Sequence, residues 1–258
     1  MQASMYSGLF GAMTQEARLD VIANNLANAN TTGFKKDNLA FRNTFRLYAH
    51  DRIDPNRALQ DDIPWVKDEQ LSMTRIGRHH VDFSQGGLRR TDNELDLALN
   101  GEGFLKVRTP DGDFYTRSGQ FQLNAAGQVA SASGNLLLGQ AGPMTLEEGS
   151  RVQIDNSGGV YVNGELVDTL DVVSFEDLRV LEKIGDNLFR VRPEVMAQEI
   201  PAEGTMIEQG ALESSNVEVV REMVNMIETL RIFEACQKSM QDSLQNDQKV
   251  MTEVGKTR

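Results

Sequence analysis

Apolar residues recur at two different periods along this chain of 258 residues, and the change of period divides it. Near the front Met5, Ala12, Leu19 and Leu26 stand at heptad spacing, with Leu9, Ile22 and Ala23 beside them. Near the back Met223, Leu230, Leu244 and Met251 alternate at heptad spacing with Val219, Met226, Phe233, Met240 and Val254. A heptad repeat places each set along one side of a helix. The first predicted helix runs from about Ser4 to Asn28 and stops where Asn28-Ala29-Asn30-Thr31-Thr32-Gly33 gathers turn-forming residues. The second opens where Ser215, followed three residues later by Glu218, fits a capping box ahead of the apolar run. Continued to Val254, it would span roughly 55 Å at about 1.5 Å per residue.

Between about Val81 and Arg192 the period falls to two. Phe104-Leu105-Lys106-Val107-Arg108, then Asp111-Gly112, then Phe114-Tyr115-Thr116-Arg117 reads as a hairpin. Further strands are predicted at 121–123, 128–130, 136–138, 152–154, 160–162, 170–175 and 188–191, with glycine turns between most of them. From Leu47 to His80 the periodicity fades, and Pro55, Pro64 and the basic group Arg75, Arg78, His79, His80 read as an extended connector. The expected fold class is therefore α+β, an all-β central domain flanked by N- and C-terminal α-helices that pair as a coiled coil. The expected partition is an N-terminal helix and turn over 1–46, a connector over 47–80, a β-rich domain over 81–209 and a long C-terminal helix over 210–258.

The terminal stripes need something to bury them. An isolated helix gains little from propensity alone, whereas each buried stripe residue contributes roughly 1.5–3 kcal/mol. An amphipathic helix docked on its own β-domain is one solution. Against it, the opening of the second helix is apolar on more than one face, because Val220, Val224 and Ile227 lie off the main seam. Such a helix contacts several neighbours, which points to assembly.

Composition narrows the chemistry. With 26 basic and 38 acidic residues the formal charge is -12, which repels nucleic-acid phosphates and anionic lipid. One cysteine, Cys236, and three histidines leave little for a soft-metal site or a nucleophile with its base. The cluster Asp92, Glu94, Asp96 is interleaved with Leu95, Leu97 and Leu99 and reads as the polar face of a strand or turn. Gly101-Glu102-Gly103 lacks the third glycine of a dinucleotide loop and reads as a tight turn. No apolar run reaches the length of a membrane span, and the first residues do not form a cleaved signal peptide. Neither an enzyme nor a cofactor or metal is expected.

The residues also carry a resemblance. Asp20-Val21-Ile22-Ala23-Asn24-Asn25-Leu26-Ala27-Asn28 followed by Thr32-Gly33-Phe34-Lys35 resembles the N-terminal signature of flagellar basal-body rod and hook proteins. Gly210-Ala211-Leu212-Glu213-Ser214-Ser215-Asn216-Val217, leading into Met223 to Ile227 and Arg231, Phe233 and Glu234, resembles their C-terminal signature. Thr91 to Phe104, Tyr115 to Phe121 and Gly134 to Gly139 resemble their shared β-domain segments. Length sets aside the family's short proximal-rod members and its long hook protein. Of the two remaining rod types, Gly142 to Gly149 and Val173 to Phe189 are more similar to the proximal one, with the distal type as the alternative.

The resemblance implies a structural, non-enzymatic subunit of the flagellar axial structure, located in the basal body and exported without signal cleavage. It implies as partners other copies of the chain, other rod proteins and the flagellar type III export apparatus, with no nucleic acid, no small-molecule substrate and no membrane span. On this reading Met5, Leu9, Leu19, Ile22 and Leu26 pack against Met223, Met226, Leu230 and Phe233. Asn24, Asn25 and Asn28 make hydrogen bonds at subunit contacts, and Gly33, Phe34, Ser215, Asn216, Val217, Val220, Val224 and Ile227 complete the interface. An adhesin-like β-domain with a coiled-coil oligomerisation tail is the rival from another class.

Overall fold

The computed structural model describes residues 2–46, 71–147, 149–193, 195, 197–202 and 204–256. Side chains are described throughout these except at 2–7, 41–46, 71–79, 247 and 253–256. Most of the predicted connector therefore lies outside the described residues, and so do the side chains of Met5 and Val254.

Two helices bracket the chain, α1 over Gln2–Ala27 and α2 over Val219–Lys256. The described residues group into two compact units. The first holds α1 as far as Asn24, the described residues between Leu39 and His79, and α2 from Val220; the second holds Asn25–Asn38 and the described residues between His80 and Val219.

Within the first unit the helices touch along a face of small residues. A Cβ added at Gly8 would come within 2.8 Å of Met240 Cγ, and one at Gly11 within 3.2 Å of Cys236 Sγ. Rising numbers on α1 meet falling numbers on α2, so the two run antiparallel, and the missing side chains let the backbones approach closely. The 26 and 38 residues of the helices correspond to about 39 and 57 Å. Ala12 and Ile22 are buried, as is Thr14, whose hydroxyl bonds the Phe10 carbonyl at 2.7 Å. On α2 the buried Thr229 does the same toward Asn225 O at 2.6 Å. Such bonds to a carbonyl four residues back let a buried hydroxyl be satisfied without leaving the helix. Strands β1, Asp37–Arg46, and β2, Leu71–Val81, pair as a two-stranded sheet. Residues 71–80, expected to be connector, are thus strand, and so is the end of the expected N-terminal helix-and-turn segment.

The second unit is built on an antiparallel sheet. Its strands run in the order Leu181–Gly185, Leu188–Val191, Gly112–Thr116, Phe104–Thr109, Leu136–Gly139, Val129–Ser131, Phe121–Leu123. Alternation along the predicted hairpin sends residues to opposite faces. Leu105, Val107 and Phe114 join one apolar cluster with Phe121, Leu137, Val152, Val160, Leu170 and Ile207. Phe104 and Tyr115 join another with Val173, Phe175, Leu181 and Phe189. Both faces are therefore covered, which requires apolar residues at adjacent as well as alternate positions. A three-stranded sheet of Val152–Ile154, Gly159–Val162 and Glu165–Thr169 supplies part of the first cover.

Two short pairings tie the C-terminal approach to this unit. Met206–Gln209 pairs with Leu97–Asn100, and Ala211–Glu213 pairs with Leu88–Arg90. The start of α2 also departs from the expected capping box. Ser215 Oγ accepts from Val217 N, two residues on, at 3.3 Å, and the helix begins only at Val219. The physical reason lies in Asn216, whose side chain and backbone are held elsewhere, as follows.

Candidate functional site

The turn after α1 is assembled from side chains that read as surface residues in the sequence. Asn25 is 2% exposed. Its Oδ1 accepts from Asp37 N and its Nδ2 donates to Asp37 O, both at 2.9 Å, so the amide acts as a strand neighbour to Asp37. Asn28 Oδ1 accepts from the Thr31 hydroxyl at 3.2 Å, tightening the turn. Gly33 sits at φ +67°, and a Cβ there would strike the backbone of Arg117 and Ser118. No other residue type fits both conditions. The Thr32 and Ser118 hydroxyls lie 3.3 Å apart, and Asn187 Nδ2 donates to Thr32 O at 3.0 Å. Phe34 is buried with the Lys183 ammonium 4.1 Å from its ring centroid. Lys183 also donates to Lys35 O and, at 2.8 Å, to Asp37 Oδ2.

At the centre stand three buried charges. The side chains of Lys35, Glu213 and Arg117 are 1%, 0% and 5% exposed. Glu213 Oε1 accepts from Lys35 Nζ at 2.6 Å and from Gly86 N at 2.8 Å, and Oε2 accepts from Arg117 Nη1 at 3.4 Å. Lys35 donates further to Ser84 O at 2.8 Å, and Arg117 to Gly101 O at 2.8 Å while its guanidinium lies 5.3 Å from the Phe104 ring centroid. Burial pulls the Lys35 ammonium below its ordinary value; the Glu213 carboxylate opposes that shift without cancelling it. Arg117 is lowered by burial in the same way, again against Glu213.

The C-terminal signature closes on the same place. Gly33 N donates to Glu213 O at 2.8 Å, Asn216 N to Phe34 O at 3.3 Å, and Lys36 N to Asn216 Oδ1 at 2.8 Å. Asn216 Nδ2 donates to Asp82 O and Ser84 O. Val217 is buried beside it in sequence and Ser215 is half-buried. The two signatures, 178 residues apart between Lys35 and Glu213, are one physical site.

The other interface residues expected from the sequence stand differently. Val220 is 76% exposed and Ile227 53%, and Leu9, Met223, Val224 and Leu230 are exposed as well. Leu19, Leu26, Met226 and Phe233 are half-buried, Ile22 is buried and Asn24 is exposed. Among the described residues, the exposed apolar members of the set concentrate at the start of α2. Lys35, Arg117 and Glu213 were not expected as site residues. The available signal was a charge standing alone among apolar and small neighbours, as in Ala211-Leu212-Glu213-Ser214.

The acidic cluster is structural. Asp96 is buried and accepts from the Thr91 hydroxyl at 2.6 Å and from Asn93 Nδ2 at 3.0 Å, closing the turn into Leu97–Asn100. Among the described residues no group of three or more His, Cys, Asp or Glu could hold a metal ion, and no helix is long and apolar enough to cross a membrane.

Three family models match the chain: a flagella basal body rod protein model over residues 5–35, a flagellar hook protein FlgE/F/G D1 domain over 98–162, and a flagellar basal body rod FlgEFG C-terminal model over 208–253. The flagellar basal-body rod protein FlgF of Caulobacter vibrioides is 34% identical, with 99% of each sequence covered. This chain belongs to the flagellar basal-body rod protein family. FlgG of Buchnera aphidicola from Acyrthosiphon pisum is 31% identical over 97% of this chain and 99% of that one, and FlgF of Mesorhizobium japonicum is 27% identical over 99% of both. The first and last family models carry the two signatures that the buried charges join. The D1 match includes Arg117, the third member of that cluster.

Proposed function

We propose that the chain is a non-enzymatic structural subunit of the flagellar rod, of the F type, that assembles through its terminal helices. The observation that carries the assembly reading is the apolar face at the start of α2, where Val220, Met223, Val224, Ile227 and Leu230 stand exposed. α1 and α2 pack against each other along a different face, at Gly8, Gly11, Cys236 and Met240. A helix with one face on its partner and a second apolar face open has room for a neighbouring copy. Contacts between unlike faces of identical subunits need not close, and so extend into a tube. The partners on this reading are further copies, other rod proteins and the flagellar type III export apparatus. The F type is favoured by the end-to-end match with the Caulobacter protein and by the segments Gly142 to Gly149 and Val173 to Phe189.

Replacing Leu230 by Asp tests the interface. A charge buried without a partner costs several kcal/mol, so incorporation into rods and motility should be lost while the β-domain stays folded. Swimming cells with complete rods would refute the reading. Pairing of the helices as a coiled coil is tested separately by Gly11→Cys, which sets a second thiol against Cys236. Oxidation should give an intramolecular disulfide, and failure to form one would exclude the pairing. Rescue of a strain lacking FlgF, with no rescue of one lacking FlgG, is expected of the F type; the reverse would assign the distal type.

A further inference from the structure

The contacts around Glu213 join three segments, the first of which is also held by Asn187 Nδ2 to Thr32 O and Lys183 to Asp37, and the last by pairing of Ala211–Glu213 with Leu88–Arg90. The segment leaving α1 and the segment approaching α2 lie side by side through Gly33 N to Glu213 O and Asn216 N to Phe34 O. The main sheet closes without them. Phe104–Thr109, Gly112–Thr116 and Leu188–Val191 pair with one another, and Phe83, Phe104, Tyr115, Phe175 and Phe189 pack ring against ring. What the sheet does supply is one buried cation, Arg117, while the N-terminal signature supplies another, Lys35. Two buried like charges repel, and each has lost its hydration. The carboxylate that compensates both arrives on the strand Ala211–Glu213, a few residues before α2. It arrives fully engaged, since Oε1 also takes the Gly86 amide.

We propose that Lys35, Glu213 and Arg117 form a clasp, a conformational device that holds the 33–36 and 213–216 segments in register with each other and with the sheet when the Glu213 carboxylate seats between the two cations. The clasp is a latch on a preformed sheet and not part of the sheet's own stability. It goes beyond the subunit reading and depends on no contact between copies, so it is measured on the purified chain.

Hydrogen exchange on the full-length Glu213→Gln variant decides it. The amides of Gly33, Lys36, Gly86 and Asn216 should exchange at least about a hundredfold faster, while amides of the 104–109 and 112–116 strands change less than about threefold. Lys35→Met should give the same local pattern. Combining it with Glu213→Gln should add less than about threefold to the single variant, because the two changes break one interaction. Unchanged protection at the four amides, an equal rise across the sheet, loss of the folded sheet, or independent multiplication of the two effects would each overturn the clasp. Rod assembly enters none of these readouts.

Discussion

In the second unit the Glu213 carboxylate has partners on both oxygens, whereas along the first turns of α2 six apolar side chains, Val219 to Leu230, stand open to solvent. Residues of the site around Glu213, such as Asn25, Gly33, Phe34 and Asn216, read in the sequence as contact surface for neighbouring subunits, and so did the first turns of α2. The structure uses the first inside the chain, binding Asn25, Gly33, Phe34 and Asn216 to their own β-domain, and leaves the second exposed among the described residues. A signature shared across a family can thus mark a place where a chain holds itself together. On the proposed reading, the open face is the one left for a neighbouring copy. The distinction matters for mutation, since damage at the first stretch should appear in the isolated protein and damage at the second only on assembly.

The sharpest break of that contrast is at Gly33. Gly33→Ala combines a left-handed backbone with a clash against Arg117 and Ser118, so a loss of about 3 kcal/mol or more is expected in urea unfolding. A loss under about 1 kcal/mol would mean that the turn is not held as described. At the open face the expectation inverts. Val224→Ser with Ile227→Ser should shift monomer stability by less than about 1 kcal/mol while impairing incorporation into rods. Strong destabilisation of the monomer would show that this face is already covered.

Smaller effects come from polar groups on the sheet surface. Glu199 accepts from the Tyr115 hydroxyl at 2.5 Å and from Lys106 at 2.9 Å. Burial alone would raise its carboxyl, but the bonds from Tyr115 and Lys106 outweigh this and hold it below its ordinary value. A carboxyl lowered on folding contributes stability that is complete above the unfolded value, near pH 4.5, and lost as pH falls through the lower folded value. Glu199→Gln should therefore cost about 0.5–1 kcal/mol at pH 7, with the difference from the parent fading on acidification. A constant difference from pH 7 to pH 3 would exclude this account. Smallest of all, Arg190→Ala removes a partly exposed ion pair to Glu182 and should cost less than about 0.5 kcal/mol.

Much of the architecture was legible because period alone carries it. The heptad stripes gave both helices to within a few residues, and the Phe104 to Arg117 alternation gave the hairpin. The strands Leu88–Arg90, Met206–Gln209 and Ala211–Glu213 were missed because each is short and pairs with a segment about a hundred residues away, whereas Leu97–Asn100 lies in a stretch that read as strand or turn. Strand β2 was hidden because His79, His80 and its arginines do not alternate with apolar residues. The start of α2 was misplaced because Ser215 and Glu218 satisfy a local rule that Asn216 overrides with long-range hydrogen bonds. Within the candidate site, Val220, Val224 and Ile227 are exposed as their position off the seam suggested, but Met223 and Leu230 on the seam are exposed as well. The charge cluster was not suggested, since pairing between Lys35, Arg117 and Glu213 is a property of the closed fold and has no sequence period.

The separation of Lys35 from Glu213 also has a consequence in time. Closing a loop of 178 residues is entropically costly, and folding slows as contacts become more distant in sequence. A growing chain can pair Phe104–Thr109 with Gly112–Thr116 long before Glu213 has been made. For most of its synthesis the molecule therefore lacks the carboxylate that pairs with Lys35.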